Sequence, residues 1–200
     1  MTAALSSARN ALIAGIVVTV LAIIAAVVAD GADRLGLISF VLRSIHVVAA
    51  MVWVGMIWFV NFVQHAAVTG ADDAGRGTLM RLVVPNVAWI FRHASHLVLL
   101  SGLLLTLPTG YLLGSLVFGA PVYVSLVKSL LLWGAAAGAV AMWAFVHMII
   151  WPNLQVVLGH RPGNAEAKAA ARAKVALYAR ANLLLAVPVT VLMVAAAHLF

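Results

Sequence analysis

Five stretches of this chain run without a single charged side chain: residues 11–29, 44–71, 93–127, 129–160 and 181–200. A helix that crosses a bilayer needs about 20 mainly apolar residues, because the hydrocarbon layer is about 30 Å thick and each residue rises 1.5 Å. The stretches therefore predict an all-α, integral membrane bundle of five transmembrane helices in a single domain. The expected helices cover residues 9–29, 37–65, 86–107, 122–151 and 177–199. Composition removes the alternatives. Of 200 residues, 66% are hydrophobic and 8% are charged. A soluble domain carries about 25% charged residues. The apolar run of the first stretch exceeds the usual 7–15 residues of a signal-peptide core, so it reads as a retained span.

The connections differ in character. Residues 30–35 are short. Residues 66–81 read as a polar loop with three glycines and two aspartates. Residues 108–121 carry no charge and invite an interfacial position, with Tyr111 and Tyr123 as belt anchors. The fourth connection begins at Pro152 and holds a basic helix over residues 164–176. There Asn164 caps and Glu166 sits in the first turn, followed by Lys168, Arg172 and Lys174. That helix is expected to continue straight into the last span.

The formal net charge is +7, with 12 Lys and Arg against 5 Asp and Glu. Arg9, Arg76, Arg81, Arg92, Arg161, Lys168, Arg172, Lys174 and Arg180 fall on one side of the membrane. Arg34, Arg43 and Lys128 fall towards the other. The positive-inside rule then places the N-terminus in the cytoplasm and the C-terminus outside, in a multi-pass protein of the bacterial inner membrane. The charge is explained by topology. No basic stripe with interleaved aromatics exists away from the membrane, so nucleic acid is not an expected partner.

Ionisable groups inside a span are costly and point to function by default. Here they are Arg43, His46, Arg92, His93, His96, Lys128, His147 and His198. Counted from the outer ends of their helices, His46 lies roughly 13 Å deep, His96 roughly 16 Å and Lys128 roughly 9 Å. His198 stands at the outer terminus of the last helix. A bland reading exists for each: a membrane histidine often only bonds a neighbouring helix, and Arg92 or Lys128 can snorkel.

The chemistry these residues can support is narrow. Cysteine is absent, which removes disulfides, thiolate-bound metals, iron–sulfur clusters and c-type haem attachment. With no carboxylate inside a span, hard cations have no ligands. An all-histidine zinc or copper site needs about three converging ligands. The HExxH, Walker and GxSxG patterns are missing. Haem needs only one or two axial imidazoles and an apolar slot. Haem b therefore stays open beside the bland readings, with His46 and His96, at similar depth, as axial candidates and Lys128 as an alternative ligand. Arg43 and Lys128 stand where propionates would lie, and His198 is an outer-side candidate. Ala49 and Ala50, one turn from His46, leave room for a flat ring.

The second expected span reads Ile45-His46-Val47-Val48-Ala49-Ala50-Met51-Val52-Trp53-Val54-Gly55, followed by Trp58-Phe59-Val60-Asn61-Phe62. It resembles the His…Trp-x-Gly…Asn-Phe helix of the PuuD-type urate oxidase N-terminal membrane domain. More distantly it is similar to HemJ-type protoporphyrinogen oxidases and CopD-like membrane proteins. Three further places look alike in order: Pro85 to Gly102 with Trp89 and Phe91-Arg92, Trp151-Pro152-Asn153-Leu154-Gln155, and Arg180-Ala181-Asn182 to Pro188, Met193 and His198. The resemblance covers residues 40–200. It implies a b-type cytochrome-like bundle, with haem b on His46 and Lys128 assisting. Such a chain would carry electrons, or hold haem, for a partner redox enzyme, a cytochrome c or a quinone-linked protein, with a homo-oligomer possible. The alternatives are a non-redox membrane subunit or small transporter, and a membrane oxidase acting on urate or a porphyrin.

Overall fold

The computed structural model describes residues 4–116 and 124–199. All regular secondary structure among the described residues is helical, and five helices are long and apolar enough to cross a membrane. They are α1 (Ala8–Asp30), α2 (Arg34–Gly70), α3 (Asp73–Leu105), α4 (Leu126–Val157) and α5 (Ala165–His198). The chain is a multi-pass membrane protein. Tyr123, Gly119 and Pro121 lie outside the described residues.

Local chemistry sets the helix ends. Ser7 caps α1 by accepting from the Asn10 amide at 3.1 Å. The helix stops at Gly31, whose φ of 78° is open to a residue without Cβ. Asp33 accepts from the Gly36 amide at 2.8 Å as α2 begins. Asp72, Ser125 and Asn164 do the same for α3, α4 and α5, accepting from Gly75, Lys128 and Ala167. Glu166 sits in the first turn of α5, where the helix dipole favours a negative charge. From there α5 runs unbroken for 34 residues, through Pro188.

The polar loop expected over residues 66–81 is mostly helix instead. α2 continues to Gly70, only Ala71 and Asp72 stand outside a helix, and α3 starts at Asp73. The Asp72 cap supplies the missing hydrogen bond, and that outweighs the weak helix propensity of Gly75 and Gly77. A one-residue break at Val83 precedes Pro85, which lacks the amide hydrogen that would continue the ladder. α4 likewise passes Pro152 and ends at Val157. Two helices widen locally to π geometry: α2 at Phe59–Gln64 and α4 at Phe145–Ile150.

The chain divides into two compact units, Met1–Phe40 and Val41–Phe200. The first holds α1 and the opening turns of α2. The second holds the rest of α2 with α3, α4 and α5. Its core gathers Trp53 and Ile57 of α2, Phe91, Ala94 and Val98 of α3, Ala139, Met142 and Val146 of α4, and Ala186 of α5. Lipid is as apolar as these side chains, so close packing rather than water exclusion holds the helices together. Gly138 shows how close. A Cβ there would lie 2.5 Å from Cγ2 of Val189, so glycine is what lets α4 approach α5. Asn61 ties α2 to α5 by donating to Ile57 O at 2.8 Å and Ala179 O at 3.2 Å.

Candidate functional site

His46 is half-buried and turned to α3. Its Nδ1 lies 3.0 Å from Val98 O and 3.3 Å from Ser101 Oγ. A carbonyl can only accept, so Nδ1 carries the proton and donates. The Ser101 hydroxyl gives its own hydrogen to Leu97 O and is free to accept. In the neutral ring the lone pair is then left on Nε2, which has no hydrogen-bond partner among the described residues. Gly102 makes the contact possible, since a Cβ there would stand 2.8 Å from His46 Cε1. Three residues earlier on α2, Arg43 is exposed.

The expected opposite ligand is elsewhere. His96 is displaced by about 200° around α3 from Val98 and by about 240° from Gly102, at 100° per residue. It faces α4, not α2. Trp143 Nε1 donates to His96 Nδ1 at 3.0 Å. The His147 ring lies 4.1 Å from the His96 ring, centroid to centroid, and 4.8 Å from that of Trp143. Ser95 Oγ donates to Arg92 O at 2.7 Å and so accepts from His147 Nε2 at 3.0 Å. The neutral His96 ring therefore keeps a proton on Nε2, and His147 keeps an open lone pair on Nδ1. One turn towards the start of α3, the Arg92 guanidinium stacks 4.0 Å over the Trp151 ring. The result is a polar ladder along the α3–α4 seam: Trp143, His96 with His147, then Arg92 with Trp151. His93 stands beside it and stacks on Trp89 at 4.2 Å.

Lys128 lies in the first turn of α4 with Nζ 4.9 Å from the Tyr111 ring. It precedes Trp143 by fifteen positions, roughly 22 Å along the helix, which separates it from the histidine ladder. His198 is exposed in the last turn of α5. Among the described residues no three His, Cys, Asp or Glu side chains gather closely enough to hold a metal ion. The structure thus brings Arg43 near His46 in register, joins His96 to His147, and leaves Lys128 and His198 apart from both groups.

Beyond the ladder, α2, α3, α4 and α5 enclose a narrow apolar slot of about 70 Å³. Val60, Asn61 and Gln64 line it from the π segment of α2, and Val146 and Ile150 from that of α4. Such segments recur at functional positions. Gln64 Oε1 and Arg92 Nε border this slot, are buried, and have no hydrogen-bond partner among the described residues. The slot has room for a few waters. Drug-sized ligands need about 300 Å³ or more, so it does not take a macrocycle. Asn182, 1% exposed, and Trp53 Nε1 are further buried polar groups without partners among the described residues. The sequence signal for Gln64 and Asn182 was present, as amides in apolar spans, but attention to ionisable groups passes over amides.

No family model, curated protein or solved structure matches this chain.

Proposed function

We propose that this chain is an integral-membrane haem b protein that carries electrons, or holds haem, for a partner redox enzyme, with His46 as axial ligand. The observation that supports this is the hydrogen bond from His46 Nδ1 to Val98 O. Ligating imidazoles typically donate their second nitrogen to a carbonyl or carboxylate, which fixes the tautomer and raises the basicity of the ligating nitrogen. His46 has that arrangement and an unengaged Nε2. Bound haem would supply one-electron chemistry. The chain's own residues would orient the ligand through Val98, Ser101 and Gly102, and Arg43 would offer a cation to a propionate. His96 would not share the group with His46, because it faces the other side of α3 and its Nδ1 accepts from Trp143. Lys128 is likewise set aside as a ligand by its distance along α4.

The rest of the reading follows the sequence: an N-terminus in the cytoplasm, a bacterial inner membrane, and a separate redox protein as partner. The test is an optical spectrum with pyridine haemochrome analysis of protein from haem-replete cells. A Soret band near one haem per chain that His46→Ala abolishes supports the proposal. Absence of any Soret band overturns it.

A second reading, a non-redox membrane subunit, has its own observation. The exposed His96 sits in a spanning helix, where polar groups call for a covering partner. Haem-free protein that co-purifies with a stoichiometric membrane partner, and loses it in His96→Leu, would favour this reading.

A further inference from the structure

At the end of the bundle where α2 passes into α3 and α4 into α5, a basin of about 480 Å³ opens among the helix ends. Arg76 and Arg81 of α3, Arg172 of α5 and His160 between α4 and α5 line it. Its one carboxylate is Asp73, which lies 3.4 Å from Arg76. Arg76 is further committed, donating to Val68 O at 3.1 Å and to Ala71 O at 3.0 Å. Arg81 and Arg172 have no hydrogen bond or ion pair among the described residues. The basin therefore presents two free guanidiniums beside a third that the backbone holds in place.

Orientation in the membrane needs cations on this side but does not need them to converge. Here residues from two helices, far apart in sequence, point into one concavity. The basin also has an apolar part, formed by Met80, Pro85, Val157 and Leu158. Guanidinium forks match the oxygens of a phosphate. Met80 and Pro85 belong to the spanning helix α3 and Val157 ends the spanning helix α4, so acyl chains of a bilayer would run alongside them. A free phosphate would meet the arginines and leave that apolar surface uncovered. Basic pockets between membrane helices are suited to anionic lipid headgroups.

We propose that this basin binds the headgroup phosphate of an anionic phospholipid, held between Arg81 and Arg172 with its acyl chains against Met80, Pro85, Val157 and Leu158. The proposal stands independently of haem.

The test uses the full chain reconstituted in vesicles of equal parts phosphatidylglycerol and phosphatidylcholine, then released for native mass spectrometry, with Tm measured in parallel. Wild type should retain phosphatidylglycerol over phosphatidylcholine by roughly tenfold or more, given two basic contacts. Arg81→Gln with Arg172→Gln should lose that preference. Arg161→Gln with Lys168→Gln removes the same charge outside the basin and should keep it. Arg81→Lys with Arg172→Lys guards against a folding defect: it keeps the charge and should keep part of the preference. Equal loss in both glutamine pairs overturns the proposal, as it would reduce the effect to overall charge. Unchanged preference in the Arg81 and Arg172 pair also overturns it. If inorganic phosphate raises Tm as much as the lipid does, the site is a free-anion site and the lipid assignment falls.

Discussion

The imidazoles of His96 and His147 lie 4.1 Å apart, centroid to centroid, across the α3–α4 seam. His46 meets α3 on another face, through Val98 and Gly102. The intramembrane histidines thus form two groups with different hydrogen-bond states, and substitutions should separate them. On the haem proposal, His46→Ala should remove at least nine-tenths of bound haem, whereas His96→Ala should leave the reduced-minus-oxidised spectrum in place. Parallel haemochrome measurements on the two variants check this. Equal loss in both would mean that the ligand has been misassigned.

Gly102→Ala should act through His46 without touching its chemistry. The new Cβ would stand 2.8 Å from Cε1. The ring must shift and lose its alignment with Val98 O. Overpacking of this kind costs about 1–3 kcal/mol. Thermal unfolding in detergent should show that loss, and the Soret maximum should move or weaken with it.

Gly138→Val tests the closest helix approach. Even the first added carbon would lie 2.5 Å from Val189 Cγ2, so α4 and α5 must part. A destabilisation of about 1–3 kcal/mol is expected. Val189→Ala in the same chain should recover at least half of it. Failure of that rescue would place the strain elsewhere.

The Trp143–His96 hydrogen bond should be worth little. Single hydrogen bonds between membrane helices average about 0.6 kcal/mol by double-mutant cycle. A cycle over Trp143→Phe and His96→Phe should give a coupling of that order. A coupling several times larger would show that the ladder acts as one network.

Asn182 offers a sign test. It is 1% exposed and neither amide atom has a partner among the described residues. Replacing a buried unsatisfied amide with an apolar residue of similar size removes a desolvation penalty of about 1–3 kcal/mol. Asn182→Leu should therefore raise Tm. A fall in Tm would show that the amide serves a bound water or ligand.

The five spans were legible because hydrophobicity and charge are one-dimensional: a charge-free run of the right length predicts a spanning helix wherever it occurs. Asn164 and Glu166 were equally readable, since a cap acts within four residues. The stretch over residues 66–81 was less legible, because its three glycines signal a loop more strongly than the single Asp72 signals a cap. Site geometry was less accessible. Matching depth put His46 and His96 together, but depth fixes only one of two coordinates. The angle around α3 separates them, and which face α2 would meet depends on Gly102, a contact 56 positions away in sequence. Lys128 differs for a simpler reason: depth along its own helix does not tell how far α4 extends past the level of His96, roughly 22 Å by the fifteen positions that separate Lys128 from Trp143.

The π segments at Phe59–Gln64 and Phe145–Ile150 carry a consequence for how this chain can vary. Each slips one extra residue into a helix, so the side chains beyond it are out of phase by about 100° with those before it. The face of α2 that bears His46 and the face that bears Gln64 obey separate periodicities, and so do the two halves of α4. A single-residue deletion inside either segment would remove the extra residue and its phase shift together, leaving a plain helix whose two ends face as before. Trp151 would still reach Arg92, and Trp143 His96. Such deletions should be tolerated better here than in the plain helical turns on either side, where one residue fewer rotates everything beyond it by about 100°.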